Sequence, residues 1–132
     1  MKKIIYLFSV SLICLYTLSS CSSDSPGQVA KKFVGYMQSG DSKNMIECLA
    51  TNKNIDPSQQ KQGELAMAAM AEKAKTALAE KGGIKNVEVT SETIEENGEN
   101  AKVELKISYG NGVEEKNSYQ MVKQDGKWKI RQ

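Results

Sequence analysis

The sequence predicts an α+β domain in which N-terminal helices pack on a four-stranded antiparallel meander sheet. Apolar residues recur at helical spacing in the first half of the chain, from Val29 to Leu78. From Lys85 onward they alternate with polar residues, and short turns rich in glycine and asparagine separate the alternating runs. Because helices precede strands that follow one another through tight turns, we expect the helices to cover one apolar face of a single sheet.

The first residues are typical of a bacterial targeting segment. Lys2 and Lys3 precede an uncharged, mostly apolar run over residues 4–18. A secretory signal needs an apolar run of roughly 7 to 15 residues, whereas a membrane-spanning helix needs about 20. The run is therefore too short to span a bilayer comfortably, and a signal peptide is expected.

The residues that end this run, Leu18-Ser19-Ser20-Cys21, resemble the bacterial lipobox. That resemblance implies a diacylglycerol on the Cys21 sulfur and removal of residues 1–20. We therefore expect a lipoprotein signal peptide over 1–20, a short lipidated tether over 21–24 and one α+β domain over 25–132. An ordinary signal peptide with a chance cysteine, or an uncleaved anchor, remains as an alternative.

The charge of the chain argues against nucleic acid as a partner. The formal net charge is +2, and Lys2 and Lys3 supply all of that excess. Without residues 1–20 the chain is neutral, so no global field attracts a polyanion.

Local signals place three helices. Ser25, Pro26 and Gln28 form a capping-box start, Gly40 ends the first helix, and Asp41 caps a short second one. A third helix is expected over residues 58–81, before Gly82 and Gly83. Its apolar surface is expected to comprise Leu65, Met67, Met70, Ala71, Ala74, Ala77 and Leu78.

Four strands follow, predicted over residues 85–95, 101–109, 113–123 and 127–131. The second is the clearest, because Ala101, Val103, Leu105, Ile107 and Tyr109 alternate with polar residues. Trp128 and Ile130 are expected to share one face of the last strand.

Three motifs together resemble a known group of proteins. They are Val29-Ala30-Lys31-Lys32-Phe33, Met37-Gln38-Ser39-Gly40-Asp41 and the closing stretch from Val122 through Asp125-Gly126-Lys127-Trp128-Lys129-Ile130. The chain is similar here to small bacterial lipoproteins with an uncharacterised domain related to nuclear transport factor 2-like and lumazine-binding-like (cystatin-like) proteins. The resemblance implies a curved sheet wrapped around helices, often with a cone-shaped cavity; it does not select a function.

Residue types argue against catalysis and against cofactors. The chain has no histidine, and its acids fall at positions with an exposed-face explanation, so no general acid or base stands out. We expect no catalytic residue, no metal site and no cofactor. Cys48, beside Met45, Ile46 and Leu49, is expected to be a small buried apolar residue.

Two kinds of binding remain open. Side chains that suit an adaptable pocket for a small apolar ligand are Tyr36, Met67, Met70, Tyr109, Tyr119 and Met121, with Met37 and Trp128 beside them. The alternative is that these side chains simply fill the core. Glutamates gather on the first strand and lysines on the last, which favours an envelope protein partner, or a weak homodimer, bound through an edge strand.

The sequence therefore predicts a bacterial envelope lipoprotein, anchored through Cys21 to the outer membrane rather than the inner, that acts as a non-catalytic small-molecule or protein binding module. The first alternative is an interaction or inhibitor module with a solid core and no pocket. The second is a small enzyme of the nuclear transport factor 2-like fold.

Overall fold

The structure is a computed structural model that describes residues 24–132. The predicted signal peptide and Cys21, the predicted site of lipid attachment, lie outside the described residues. Three helices precede four strands: α1 (Pro26–Ser39), α2 (Ser42–Glu47), α3 (Pro57–Glu80), β1 (Ile84–Ile94), β2 (Asn100–Tyr109), β3 (Glu114–Gln124) and β4 (Lys127–Ile130).

The predicted helix ends are confirmed at α1 and α2. The Ser25 side chain accepts from the Gln28 backbone N–H at 3.3 Å, and the Gln28 side chain accepts from the Ser25 N–H at 2.8 Å. Gly40, at φ 71°, closes α1 in the left-handed conformation, and the Asp41 carboxylate caps α2. The third helix starts one residue earlier than predicted, because Asp56 caps it and Pro57 takes its first position.

The four strands form one antiparallel sheet in the order β1-β2-β3-β4, as predicted. The β3–β4 connection is a two-residue turn in which Asp125 and Gly126 both have positive φ, 52° and 77°. The sheet breaks register twice in β1, between Ile84 and Asn86 and between Val89 and Ser91. The α+β class and the meander are therefore confirmed.

The core lies between α1 and the inner face of the sheet. α1 contributes Val29, Ala30 and Val34, all buried. The sheet contributes Ala101, Val103, Leu105, Ile107, Tyr109, Met121, Trp128 and Ile130. No charged or polar residue of the described part is buried, so the inner face is closed by apolar packing.

α3 contacts the sheet less fully than the sequence suggested, because only its Met67 and Leu78 side chains pack against the core that the sheet and α1 share. It packs chiefly against α1 and α2, and Ala71 is its one fully buried residue. Leu65 and Met70 are 65% and 60% exposed, so the predicted apolar surface of this helix was too wide. α1 already covers most of the sheet, so α3 buries only a narrow stripe, formed by Met67, Ala71, Ala74 and Leu78.

A short segment after α2 adds to the sheet at β4. The Ile130 N–H donates to the Cys48 carbonyl and the Ala50 N–H donates to the Ile130 carbonyl, both at 2.7 Å. Leu49 thereby forms a parallel bridge with Ile130. This pairing joins residues far apart in sequence and was not predicted.

Candidate binding cleft

An open cleft of about 750 Å³ lies where α1, α2 and the β3–β4 turn meet. Its size is within the ordinary range of small-ligand sites. Its walls are Gln28, Val29, Lys32 and Tyr36 of α1, Asn44, Glu47 and Cys48 at α2, residues 125–129 of the turn and β4, and Asp24 at the chain's entry into the domain.

The cleft exists because α2 diverges from the edge of β4. At Ile130 the residues after α2 pair with the strand edge. Two residues earlier, at Trp128, the facing chain is already the helix, so no strand covers the edge there. The space between helix and strand edge is the cleft.

Ion pairs neutralise part of the charge around the cleft. The Lys32 ammonium lies 2.6 Å from the Asp24 carboxylate, and this hydrogen bond raises the pKa of Lys32. The Lys53 ammonium lies 3.2 Å from the Asp125 carboxylate. Lys129 donates to the Glu47 backbone carbonyl. Lys127 forms no ion pair within residues 24–132, so its charge is available at the cleft wall.

Cys48 packs against the core, as expected, but it is only half-buried, because one side of it lines the cleft. Burial raises the pKa of its thiol, although Lys129 and Lys32 act in the opposite direction. A thiol with a raised pKa and no histidine in the chain is a weak nucleophile.

The six predicted pocket residues do not meet in one cavity, which corrects that expectation. Only Tyr36 lines the cleft. Tyr109 and Met121 are buried in the core at 3% and 1% exposure, and Met70 is on the surface.

The other two predicted residues lie partly buried against the core. Met67 packs there from α3, and Tyr119 does so from the sheet. The Tyr119 ring meets the Phe33 ring edge-on, with centroids 6.1 Å apart. α1 and the inner sheet face fill the space that the pocket would have needed.

The sequence signal that could have indicated the cleft is the closing motif rather than the aromatic and methionine set. Asp125-Gly126-Lys127-Trp128-Lys129 forms the strand wall of the cleft, whereas the sequence indicates only a family resemblance for this motif. What the sequence could not supply was the opposite wall, which α2 brings up through the long-range bridge to Ile130.

A second polar cluster lies at the other end of the sheet and was also missed. The Lys81 ammonium is 2.5 Å from the Glu115 carboxylate, and the Tyr109 hydroxyl donates to the same carboxylate at 2.8 Å. Burial and this hydrogen bond raise the pKa of Tyr109 to about 12. The hydrogen bonds from Lys81 and Tyr109 lower the pKa of Glu115. The cluster ties the end of α3 to β2 and β3.

The part of the chain that the structure describes contains no helix long and apolar enough to cross a membrane. Among the same residues, no three side chains of the metal-binding types lie close enough together to hold an ion.

Solved structures place this fold among known ones. A crystal structure from Campylobacter jejuni, which carries the provisional name NTF2-like transpeptidase, matches with a TM-score of 0.74 at 18% identity, over 83% of this chain and 99% of that chain. At that identity the match shows the fold alone: nuclear transport factor 2-like, as the resemblance implied. A solution structure of a SEC-C motif containing protein from Rhodopseudomonas palustris matches more weakly, with a TM-score of 0.49 at 15% identity, over 83% of this chain and 79% of that chain.

No curated protein matches the chain. A family model does match, over residues 19–131, nearly the whole chain. The chain thus belongs to the family described as Domain of unknown function (DUF4878).

Proposed function

We propose that the protein is a lipoprotein of the bacterial envelope that is anchored through Cys21 and binds a ligand in the cleft without catalysing a reaction. The observation that carries this proposal is the position of the cleft. Its rim includes Asp24, three residues after the cysteine of the lipobox-like motif. An extended chain of that length spans about 10 Å, so an acylated Cys21 would hold the cleft close to the membrane.

The chemistry of the cleft supports binding rather than catalysis. Its walls carry polar and charged groups around one indole, which suits recognition of a polar ligand. A hydrolase or transferase would need a positioned acid, base or nucleophile. The chain has no histidine, and the raised pKa of Cys48 keeps its thiol protonated at neutral pH.

The provisional name of the Campylobacter structure suggests an enzymatic function as an alternative. A transpeptidase forms a covalent intermediate on an activated nucleophile. Cys48 is a thiol that lines the cleft. Burial raises its pKa, and the chain has no histidine to activate it, so we place this function below binding.

The second candidate is a protein interaction module that uses the edge of β1. β1 has β2 on one side and no strand on the other within the described residues. An open edge can accept a strand from a partner or from a second copy. The two register breaks in β1 oppose such pairing, so the cleft remains the first choice.

The test is site-specific photo-crosslinking in intact cells. A photoreactive residue replaces Lys127 at the cleft or, as matched control, Lys116, an exposed lysine of the same sheet. We expect a discrete adduct from position 127 and none from position 116. No adduct at 127, or the same adducts at both positions, would overturn a binding role for the cleft.

A further inference from the structure

We propose that the cleft takes an extended peptide segment with acidic side chains at alternate positions, which adds as a strand to the open edge of β4. This inference rests on the proposed function and names the ligand class of the same cleft. It follows from the backbone geometry at Trp128 and from the two lysines that flank it.

The backbone groups of Trp128 point into the cleft. In an antiparallel ladder, alternate residues direct their N–H and carbonyl groups to opposite edges of the strand. The Arg131 backbone N–H donates to the Gln120 carbonyl of β3 at 2.8 Å. The N–H and carbonyl of Ile130 instead bond to residues 48 and 50, on the outer side of β4. Trp128, two residues from Ile130 and opposite Lys123, therefore turns its N–H and carbonyl outward as well.

This open edge is short and has definite limits. Beyond Trp128 on one side lies Ile130, already paired with the segment after α2. On the other side lies the turn at Asp125 and Gly126. Within the described residues no hydrogen bond uses the outward groups of Trp128. At about 3.3 Å per residue, the edge and the cleft beside it suit a segment of about five residues.

Charge selects acidic side chains on the segment. Lys127 and Lys129 flank Trp128 and project from the same face of β4, because strand side chains alternate. Two of the three acids of the lining are already paired, Asp125 with Lys53 and Asp24 with Lys32. Glu47, on the opposite wall, is the remaining acid of the lining. Lys129 donates to the backbone carbonyl of Glu47, which is an uncharged acceptor, so Lys127 and Lys129 both keep their charge and the strand wall is cationic.

Two acidic side chains at positions i and i+2 of an added strand would lie across from these two lysines. Cross-strand pairs of opposite charge stabilise a sheet, and like charges oppose it. The side chain between them would point to the inner side of the cleft, towards Tyr36 and Cys48, where an apolar residue fits.

The experiment uses protein purified from cells in mild detergent and the fluorescence of Trp128, the single tryptophan of the chain. The probe is the blocked peptide acetyl-Ala-Glu-Val-Glu-Ala-amide, with a lysine version, acetyl-Ala-Lys-Val-Lys-Ala-amide, as control. We expect saturable binding of the acidic peptide and affinity at least about tenfold weaker for the basic one. Equal binding of both peptides would overturn the charge assignment.

Lys127→Glu should reverse this preference, whereas Lys116→Glu, a substitution on the same sheet outside the cleft, should leave it unchanged. Lys127 is exposed, so its substitution does not threaten the fold. An unchanged preference in Lys127→Glu would contradict the role of the strand wall.

Strand addition itself is tested by N-methylating the acidic peptide at either of two adjacent residues. Only alternate amides of an added strand face β4, so one analogue should lose about tenfold in affinity and the other should bind as before. Equal affinity of the two analogues would overturn strand addition. If photo-crosslinking gives an adduct at position 127 but the acidic peptide does not bind, only this inference is overturned. If there is neither an adduct nor peptide binding, the proposed function is overturned as well.

Discussion

Glu115 joins the end of α3 to the sheet at the end of the sheet away from the cleft. Its carboxylate accepts from Lys81 at the end of α3 and from the Tyr109 hydroxyl of β2. The Lys81 ammonium also lies 4.7 Å from the centre of the Tyr109 ring. One carboxylate thus ties a helix terminus to two strands.

Glu115→Gln should weaken the fold at neutral pH and not in acid. The pKa of Glu115 is lowered from 4.5 in the folded protein, so its charged form stabilises the fold; this contribution is complete above 4.5 and disappears as the pH falls through the folded pKa. Both side chains of the Lys81 pair are more than a third exposed, so water screens the pair and the cost is at most about 1 kcal/mol.

Urea unfolding of the wild type and of Glu115→Gln, at neutral pH and well below pH 4.5, measures this difference. Glu114→Gln, which removes the neighbouring exposed carboxylate, is the control and should show little change. A gap between wild type and Glu115→Gln that stays constant with pH would contradict the assignment.

At the scale of elements, the end of α3 is fastened to the β2–β3 turn by backbone contacts. The Gly110 N–H donates to the Gly83 carbonyl, and the Asn111 N–H donates to the Lys81 carbonyl, both at 2.9 Å. A Cβ on Gly110 would lie 2.3 Å from the Gly82 carbonyl oxygen. The close approach therefore requires glycine at position 110.

Gly110→Ala should destabilise the protein by about 1 to 3 kcal/mol, because backbone rather than a flexible side chain must move. Gly35→Ala is the matched control. Gly35 lies within α1, and nothing is within 4 Å of the added methyl group, so alanine should stabilise the helix by about 0.5 to 1 kcal/mol. Thermal unfolding should show a lower melting temperature for Gly110→Ala and a higher one for Gly35→Ala. A Gly110→Ala variant as stable as the wild type would refute the close approach.

The elements that the sequence predicted well are those whose signals are local. The capping box at Ser25 and the alternation in β2 lie within a few residues of the structure they specify. The failures are long-range. Alanine-rich helices have apolar residues on several sides, so the buried stripe of α3 at Ala71 depends on where α1 and α2 lie. The cleft depends in turn on the bridge from Leu49 to Ile130.

At the scale of the molecule, the two ends of the sheet differ in character. The β2–β3 end is closed by the Lys81 cluster and the glycine contact. The β3–β4 end opens into the cleft, and the chain enters the domain there at Asp24. Binding and anchoring would therefore share one end of the domain, so that a ligand at the cleft would itself have to reach the membrane surface.

Cys21→Ala tests the anchor on which this arrangement depends. Two or more acyl chains hold a protein on a membrane where one does not, so the wild type should fractionate with membranes at its mature size and incorporate a fatty-acid label. The variant should lose the label and either keep its precursor size or be released. Cys14→Ala, inside the predicted signal peptide, is the matched control and should retain label, size and location. A Cys21→Ala protein that stays in the membrane fraction at mature size would show that another feature of the chain attaches it.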